Sequence, residues 1–396
     1  MEKIKIDEIG FNGEGVGRLN GKVCFVRFTL PGEEAEIEIT KNKSKFCEAR
    51  FVKLLKPSTK RTKPLCPYFS VCGGCDFQYM AYTDELKAKQ EILNKQLQKA
   101  GINIPIKVNA SKKEYFYRNK LKLFFDRGLG FHKAYDSDIL PVENCVIAEK
   151  EIGNSIAIIS NFLARYKHLP SQVEIKLQEG VLLVNFFSKK NINLEIDELS
   201  ALLPPSQIFS TTSFSTKLLK NASSAPEQDP NVFHQVNSTV ASELYHKVVA
   251  KAKEKVVINC YSGAGLLSAM LLKGGAKKVF GLEKGLNEHQ EAEKLKKQNA
   301  LDGLVNIQGD CAFTLPKVAN EAELIIVDPP RAGLSEKVRA SIDSSNAKEL
   351  VYISCNHATF ARDVASLENF CLSEIEIFDM FPKTANFEIF AQLSRK

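Results

Sequence analysis

Cys66, Cys72 and Cys75 stand in a Cys-x5-Cys-x2-Cys spacing, with Gly73 and Gly74 just before the last of them. Such a run gathers three thiolates on one turn, and the two glycines let the backbone curl until its amides face sulfur. A fourth ligand would close the site, and Cys145, the next cysteine along the chain, is the choice for it. The ligand count suits either zinc or an iron-sulfur cluster. A different chemistry is offered by Cys355. Val351, Tyr352 and Ile353 favour a strand and lead into Ser354, Cys355 and Asn356, which reads as a buried strand ending in a loop that presents the thiol. The thiol there is either a nucleophile or ordinary packing.

The elements that would position Cys355 begin after Ser223 to Pro230, a loop with the composition of a boundary. From there strands and helices alternate as a parallel sheet requires. The expected strands are 255–259, 278–283, 305–309, 324–328, 349–354, 372–378 and 387–393, with helices such as 286–301 and 359–368 between them. Seven strands with a final hairpin suit a methyltransferase that uses S-adenosylmethionine. The first strand runs into Tyr261, Gly263 and Gly265, the second ends at Glu283, the third runs into Asp310, the fourth into Asp328 and the fifth into Cys355. In an open α/β sheet these ends line one rim, where ligands bind. The glycines permit a tight turn and Glu283 is placed for ribose hydroxyls, although Ser268 replaces the third glycine of the dinucleotide fingerprint. A nucleoside cofactor is the expectation.

A methyl donor on that rim gives the thiol a task. Uracil C5 is a poor nucleophile until a group adds at C6, after which it can attack a methylsulfonium. A thiolate adds and later eliminates easily, and the C5 proton must then leave to a carboxylate. Glu388, at the start of the last strand, is the candidate base.

The formal charge is +7, and residues 1–150 hold 27 Lys and Arg against 19 Asp and Glu, so the positive field belongs to this part of the chain. A polyanion is its natural partner, a solvated lysine face its plainer reading. The first residues lack the apolar run of a signal peptide and no later run approaches a membrane span, so a cytoplasmic protein is expected. Residues 1–57 read as short strands at 3–6, 22–28, 34–39 and 47–55, punctuated by Gly13, Gly15, Gly17 and Gly21, the pattern of a five-strand OB-type barrel. A helix is expected from Thr83 to a stop at Gly101. From Tyr117 to Phe125 the chain alternates, with Arg118, Lys120 and Lys122 on one face. That face either tracks a phosphate backbone or guards an exposed edge.

Ile9 to Glu34, with Gly-Glu-Gly-Val-Gly-Arg and Leu-Pro-Gly-Glu, resembles the RNA-binding TRAM domain. Taken with the cysteines, with Phe233-His-Gln235-Val-Asn237, Asp328-Pro-Pro-Arg-Ala-Gly333, Ser354-Cys355-Asn356 and Phe381-Pro followed by Glu388, the chain resembles the RNA uracil-5 methyltransferases, in particular their iron-sulfur ribosomal RNA branch. The resemblance implies a multidomain chain: a TRAM barrel over 1–57, a central α/β domain with a four-cysteine site over 58–230, and a Rossmann-like class I methyltransferase domain over 231–396. It implies Cys355 as nucleophile, Glu388 as base, a [4Fe-4S] cluster on the four cysteines, and S-adenosylmethionine among Gln235, Tyr261, Gly263, Gly265, Glu283, Asp310 and Asp328. Arg118 corresponds to an RNA-contacting arginine, and the implied substrate is 23S ribosomal RNA, with transfer RNA as the alternative. The chain departs from the family pattern at Asn259, where Asp is usual, at His357, where Pro is common, and at Asn386, where His often stands. His357 is read as structural. Two readings of other classes remain. An amino-group methyltransferase would use Asp328-Pro329-Pro330, but Arg331 stands where that motif ends in an aromatic residue, and a non-catalytic iron-sulfur RNA-binding module would need no donor.

Overall fold

Gly15 and Gly17 lie inside a strand. A Cβ on Gly15 would come within 2.1 Å of Thr29 Oγ1, and one on Gly17 within 2.1 Å of the Lys5 carbonyl oxygen, so these glycines serve close approach of backbones in a small barrel. The barrel is closed by β1 (Glu2–Ile9), β2 (Gly15–Leu19), β3 (Lys22–Val26), β4 (Glu34–Asn42) and β5 (Phe46–Lys56), in the order β1-β2-β3-β5-β4. The five-strand barrel expected from the sequence is therefore present, but its second strand was hidden in residues read as turns. Ile4, Ile6, Cys24, Val26, Ile37 and Cys47 fill its interior.

The computed structural model describes residues 1–189, 192–213, 215–231 and 235–396. They form two compact units. The first comprises Met1–Ala88, Lys113–Asn231 and Phe381–Ala385, the second Lys89–Lys112, Val232–Met380 and Asn386–Lys396. After the barrel come α1 (Tyr82–Lys99) and β6 (Lys107–Asn109). α1 has Asp84 and Glu85 in its first turn and Lys99 in its last, matching the helix dipole, and Gly101 follows with a φ of 74°.

Besides the barrel, the first unit contains a sheet of β7 (Lys120–Phe125), β8 (Leu129–His132), β9 (Ile139–Pro141), β10 (Gln172–Gln178), β11 (Val181–Phe187), β12 (Ser206–Thr211) and β13 (Thr216–Asn221). Its order is β13-β12-β11-β10-β7-β8-β9. Two helices, α2 (Lys150–Leu163) and α3 (Ile196–Leu202), belong to the same unit. Ile152, Ile156, Ile159 and Leu163 recur at helical spacing on α2 and are fully buried in a core with Leu123, Val173 and Ile175.

The second unit carries α4 (Ser238–Lys251), β14 (Val256–Cys260), α5 (Leu266–Lys273), β15 (Lys278–Glu283), α6 (Leu286–Gln298), β16 (Leu304–Gln308), α7 (Cys311–Val318), β17 (Leu324–Val327), α8 (Glu336–Asp343), β18 (Glu349–Ser354), α9 (His357–Ala365), β19 (Phe370–Phe378) and β20 (Glu388–Arg395). The strands run β16-β15-β14-β17-β18-β20-β19-β6. All seven expected strands are present. The eighth, β6, pairs parallel to β19 from a point more than 250 residues earlier, and three residues are too few for periodicity to reveal. β14 to β18 are parallel and β20 is antiparallel to both its neighbours. Among the described residues no helix is long and apolar enough to cross a membrane.

The turn after β3 is held by a buried ion pair. Glu33, whose side chain is fully buried, takes Arg61 Nε at 2.8 Å and Nη2 at 2.6 Å, together with the amides of Leu30 at 2.8 Å and Ser58 at 3.0 Å. Burial alone would push this carboxyl up; the Arg61 bond and the two amides outweigh it and hold the pKa below the usual range. The stabilisation is present above the ordinary glutamate value and is lost as pH falls through the lower folded value. Arg61→Ala should lower stability by about 3 kcal/mol, read as an earlier urea-unfolding midpoint at neutral pH, and the gap to the parent should narrow in acid.

Candidate active site

The parallel register sets Cys260 level with Leu282 and with Val327, and Val327 level with Tyr352. One residue further along each strand, Tyr261, Glu283 and Asp328 emerge on one rim, with Cys355 just beyond the end of β18. The antiparallel strand β20 starts on the same rim: Ser354 pairs with Ile389, so the next step of the register brings Cys355 to Glu388. The thiol feels the charge of Glu388, Arg331 and Asp328, and burial followed by the Glu388 charge pushes its pKa up.

Glu388 is buried, and its Oε2 has no hydrogen-bond partner among the described residues. Burial, reinforced by the Asp328 carboxyl and opposed by Arg331, raises its pKa well above the usual carboxylate range. Burial likewise lifts Asp328 to about 7. Three groups that trade in protons therefore share one poorly solvated rim, with Arg331 as the nearby cation.

The Cys355 turn is locally over-determined. The Ser354 hydroxyl donates to the Asn356 carbonyl at 3.1 Å and accepts the Asn356 amide at 3.1 Å. Asn356 caps α9 by accepting from the amides of Ala358 and Thr359, and its Nδ2 donates to the Arg331 carbonyl at 3.0 Å. Below it, the Tyr352 hydroxyl donates to Asp363 at 2.8 Å, and Asp363 also accepts the Leu334 amide at 2.7 Å and Arg339 at 3.1 Å. The loop bearing Asp328 and the turn bearing Cys355 are thus bonded to each other. Asn356 could have been read as an N-cap from sequence; Asp363 carries no such signal. His357 stacks on Phe387 with ring centroids 6.0 Å apart, and Asn386 is exposed.

On the cofactor side, Tyr261, Gly263 and Gly265 all adopt positive φ, at 62°, 54° and 83°. A Cβ on Gly263 would meet nothing within 4 Å, whereas one on Gly265 would lie 2.9 Å from Ala292 Cβ, so one glycine leaves room above the turn and the other seats helix against helix. Glu283 accepts the Gly263 amide at 2.8 Å and the Gly285 amide at 2.6 Å, bracing the turn. Asp310 caps α7 through the Ala312 amide at 3.0 Å and meets Lys284 at 3.1 Å; these two bonds hold its pKa down. Ser268, which replaces the third glycine of the fingerprint, and Asn259, which stands where Asp is usual, satisfy each other, since buried Asn259 donates to Ser268 Oγ at 2.9 Å. Gln235 hydrogen-bonds Tyr245, whose hydroxyl is pushed up by burial and by Asp328. Tyr245, which periodicity would assign to a plain helix face, therefore joins the rim. Phe233 and His234 of the same motif lie outside the described residues.

In the first unit, Cys66, Cys72, Cys75 and Cys145 line one cavity of about 210 Å³, together with Phe69, Gln78, Arg118, Lys122 and Phe131. Backbone amides face the sulfurs: Tyr68 and Phe69 at Cys66, Gly74 at Cys72, Ile147 and Ala148 at Cys145. As free thiols all four are pushed up by burial, Cys145 to about 11. Among the described residues no group of three or more His, Cys, Asp or Glu side chains could hold a metal ion. The thiols surround a space and do not converge on a point. Of the three basic residues expected on one strand face, Lys120 is engaged with Glu174 at 2.8 Å, while Arg118 and Lys122 border the thiol cavity.

Residues 2–52 match the TRAM domain, and residues 315–396 match the tRNA (Uracil-5-)-methyltransferase family. An uncharacterized RNA methyltransferase of Caldanaerobacter subterraneus is 29% identical over the full length of both chains. The 23S rRNA (uracil(1939)-C(5))-methyltransferase RlmD of Vibrio parahaemolyticus is 28% identical, over 98% of this chain and 95% of its own. The fold is shared with the Pyrococcus abyssi tRNA (uracil-54, C5)-methyltransferase solved with S-adenosyl-L-homocysteine, at a TM-score of 0.80 and 24% identity over 99% of this chain and 100% of that one. The chain thus carries a segment similar to the TRAM domain at its start and, at its end, a segment similar to the tRNA (Uracil-5-)-methyltransferase family that contains both Cys355 and Glu388.

Proposed function

We propose that this protein methylates C5 of a uridine in 23S ribosomal RNA in the cytoplasm. The observation that carries the reading is the pairing of β18 with β20, which sets the thiol of Cys355 beside the buried carboxyl of Glu388 on the rim that also bears the glycine turn. Residues 1–57 are read as the RNA-binding TRAM domain, 58–230 as the central domain and 231–396 as the methyltransferase domain.

S-adenosylmethionine, when bound, supplies an electrophilic methyl group. Tyr261, Gly263, Gly265, Glu283 and Asp310 would hold it, with Gln235 and Asp328 beside them; the open space above Gly263 and the carboxylate of Glu283 on the same rim suit a nucleoside. The target base must leave its stack to reach the rim. Cys355 then adds its thiolate sulfur to C6, and the electron pair of the C5–C6 double bond passes toward O4. C5 uses that pair to bond the methyl carbon as the carbon–sulfonium bond breaks. Glu388 takes the C5 proton, the double bond re-forms, and the C6–S bond breaks to return the thiolate. The elimination has a carboxylate acceptor only if Glu388 has shed its proton, and burial keeps the fraction in that form small in acid.

The cavity of the four cysteines is read as the seat of a [4Fe-4S] cluster. Its support is the donor set: four thiols around one space, amides aimed at three of them, and Arg118 and Lys122 as cations at the border. Such a cluster would fix the turn between Cys66 and Cys75 and hold it against Cys145.

RNA carrying 5-fluorouridine at the target should form a complex with the protein that survives denaturation and requires the donor, because fluorine cannot leave C5 as a proton does. Cys355→Ala should form none and should reduce methylation to background; unchanged methylation by that variant would sink the mechanism. Mapping the methylated nucleotide in cells with and without the protein separates ribosomal from transfer RNA.

The methylation rate should rise with pH through the neutral range, since the elevated pKa values of both Cys355 and Glu388 leave their reactive anions scarce in acid. A flat profile under single-turnover conditions would contradict the assignment of these two groups. Protein purified without oxygen should show broad visible absorption, and Cys75→Ser should lose most of it; a colourless protein carrying zinc would exclude the cluster.

A further inference from the structure

Asp76 directly follows the last cysteine of the turn, and both of its carboxylate oxygens are used. Oδ1 accepts Arg27 Nη2 at 2.8 Å, and Oδ2 accepts the amide of Ala385 at 3.0 Å, a residue 309 positions away. The amides of Asp76 and Phe77 both donate to the Lys383 carbonyl, at 2.9 and 3.0 Å. Arg27 is itself aimed by a 2.8 Å bond from Nη1 to the Ala134 carbonyl.

The segment so gripped, Phe381–Ala385, belongs to the first unit and ends three residues before Glu388. Its other contacts are equally polar and fixed. The Lys383 amide donates to Glu85 at 2.6 Å, and its buried ammonium meets Glu114 at 2.7 Å. The Tyr117 hydroxyl donates to the Pro382 carbonyl at 2.9 Å. Lys383 sits at a φ of 68°, a conformation that a non-glycine residue keeps only where its surroundings over-determine it. Where the segment begins, Asp379 is paired with Lys89 at 2.6 Å, both side chains fully buried. The entry to Glu388 is therefore a stitched strap, with Asp76 holding its last residue.

We propose that Asp76 is a positioning residue for the proton-removing step: by holding Ala385 it sets where β20 begins, and so where the Glu388 carboxylate stands relative to C5. This rests on the reading of Glu388 as base. It also gives the thiol-bearing turn a part in the reaction, because Asp76 is bonded covalently to Cys75 and moves with it. Nucleophilic addition depends on Cys355, which Asp76 does not touch, so the two halves of the reaction respond differently to its loss.

The test uses the full-length protein, ordinary uridine-containing substrate RNA and S-adenosylmethionine in single turnover, separating the rate of covalent complex formation from the rate of release of methylated RNA. Asp76→Ala should form the complex at near the parental rate and release product about tenfold or more slowly, as expected for a base displaced by a fraction of an ångström, so that a denaturation-resistant protein–RNA complex accumulates. Asp76→Asn keeps one oxygen for the Ala385 amide and should recover most of the release rate. Should Asp76→Ala fail to fold, Arg27→Gln carries the same test, since it leaves both carboxylate oxygens and removes only the group that aims them. Formation and release slowing in parallel, or release unchanged, would overturn the proposal. Glu388→Gln is run beside these variants: if it accumulates complex and the Asp76 variants do not, the strap has no role and the base assignment stands, whereas if Glu388→Gln does not accumulate complex the base assignment itself falls, and this proposal with it.

Discussion

The candidate site depends on one strand pairing, that of β20 between β18 and β19. The five strands β14 to β18 run parallel and deliver their C-terminal ends to a single rim. A sixth parallel strand would have placed only its own end there. Because β20 is antiparallel, with Ser354 opposite Ile389, it delivers its first residue instead, and that residue is Glu388. A thiol at the end of one strand and a carboxyl at the start of its neighbour become adjacent with no loop spanning between them. The register then fixes their separation more firmly than two loops would, since a one-residue slip would turn every buried side chain of β20 to the other face.

That arrangement carries an electrostatic cost. Glu388 and Asp328 are carboxyls on one rim; burial raises the pKa of both, and the Asp328 charge raises that of Glu388 further. Leaving Glu388 Oε2 without a hydrogen-bond partner among the described residues costs about 1–3 kcal/mol. Arg331 offsets part of this, and it comes from the same loop as Asp328, tied to the Cys355 turn through Asn356. The orphan oxygen is what a base needs, since an acceptor already satisfied by the protein would have to break that bond before receiving a proton. Arg331, which as a sequence feature spoke only against an amine-binding motif, here tempers the charge of both Glu388 and Cys355.

Legibility from sequence followed the range of the interactions. The parallel strands and their rim residues could be drawn because each strand is a local apolar run with a candidate site residue at its end. The barrel was legible as a class but not strand by strand: glycines at β2 looked like turns because their role, admitting the Lys5 carbonyl and Thr29, is set by residues in other strands. β6 was invisible for the same reason, as its pairing partner lies far along the chain. Glu388 was singled out by chemistry and by the family resemblance, and nothing in its sequence neighbours marks it as buried. The exchange between Asn259 and Ser268 shows the limit from the other side: each looked like a defect in a motif, and together they make a buried hydrogen bond.

The chain just after the cysteine turn is bonded to the segment that precedes β20. A strand still needs its first residue held, because strand ends fray where the ladder of backbone bonds begins. In this chain the residues before β20 contain no secondary structure of their own, and their order comes from side chains and amides of distant segments: Asp76, Phe77, Glu85, Glu114 and Tyr117. Two of these five follow Cys75 without a break. Whatever fixes the cysteine turn therefore also fixes two of the groups that hold Phe381–Ala385, through hydrogen bonds already in place.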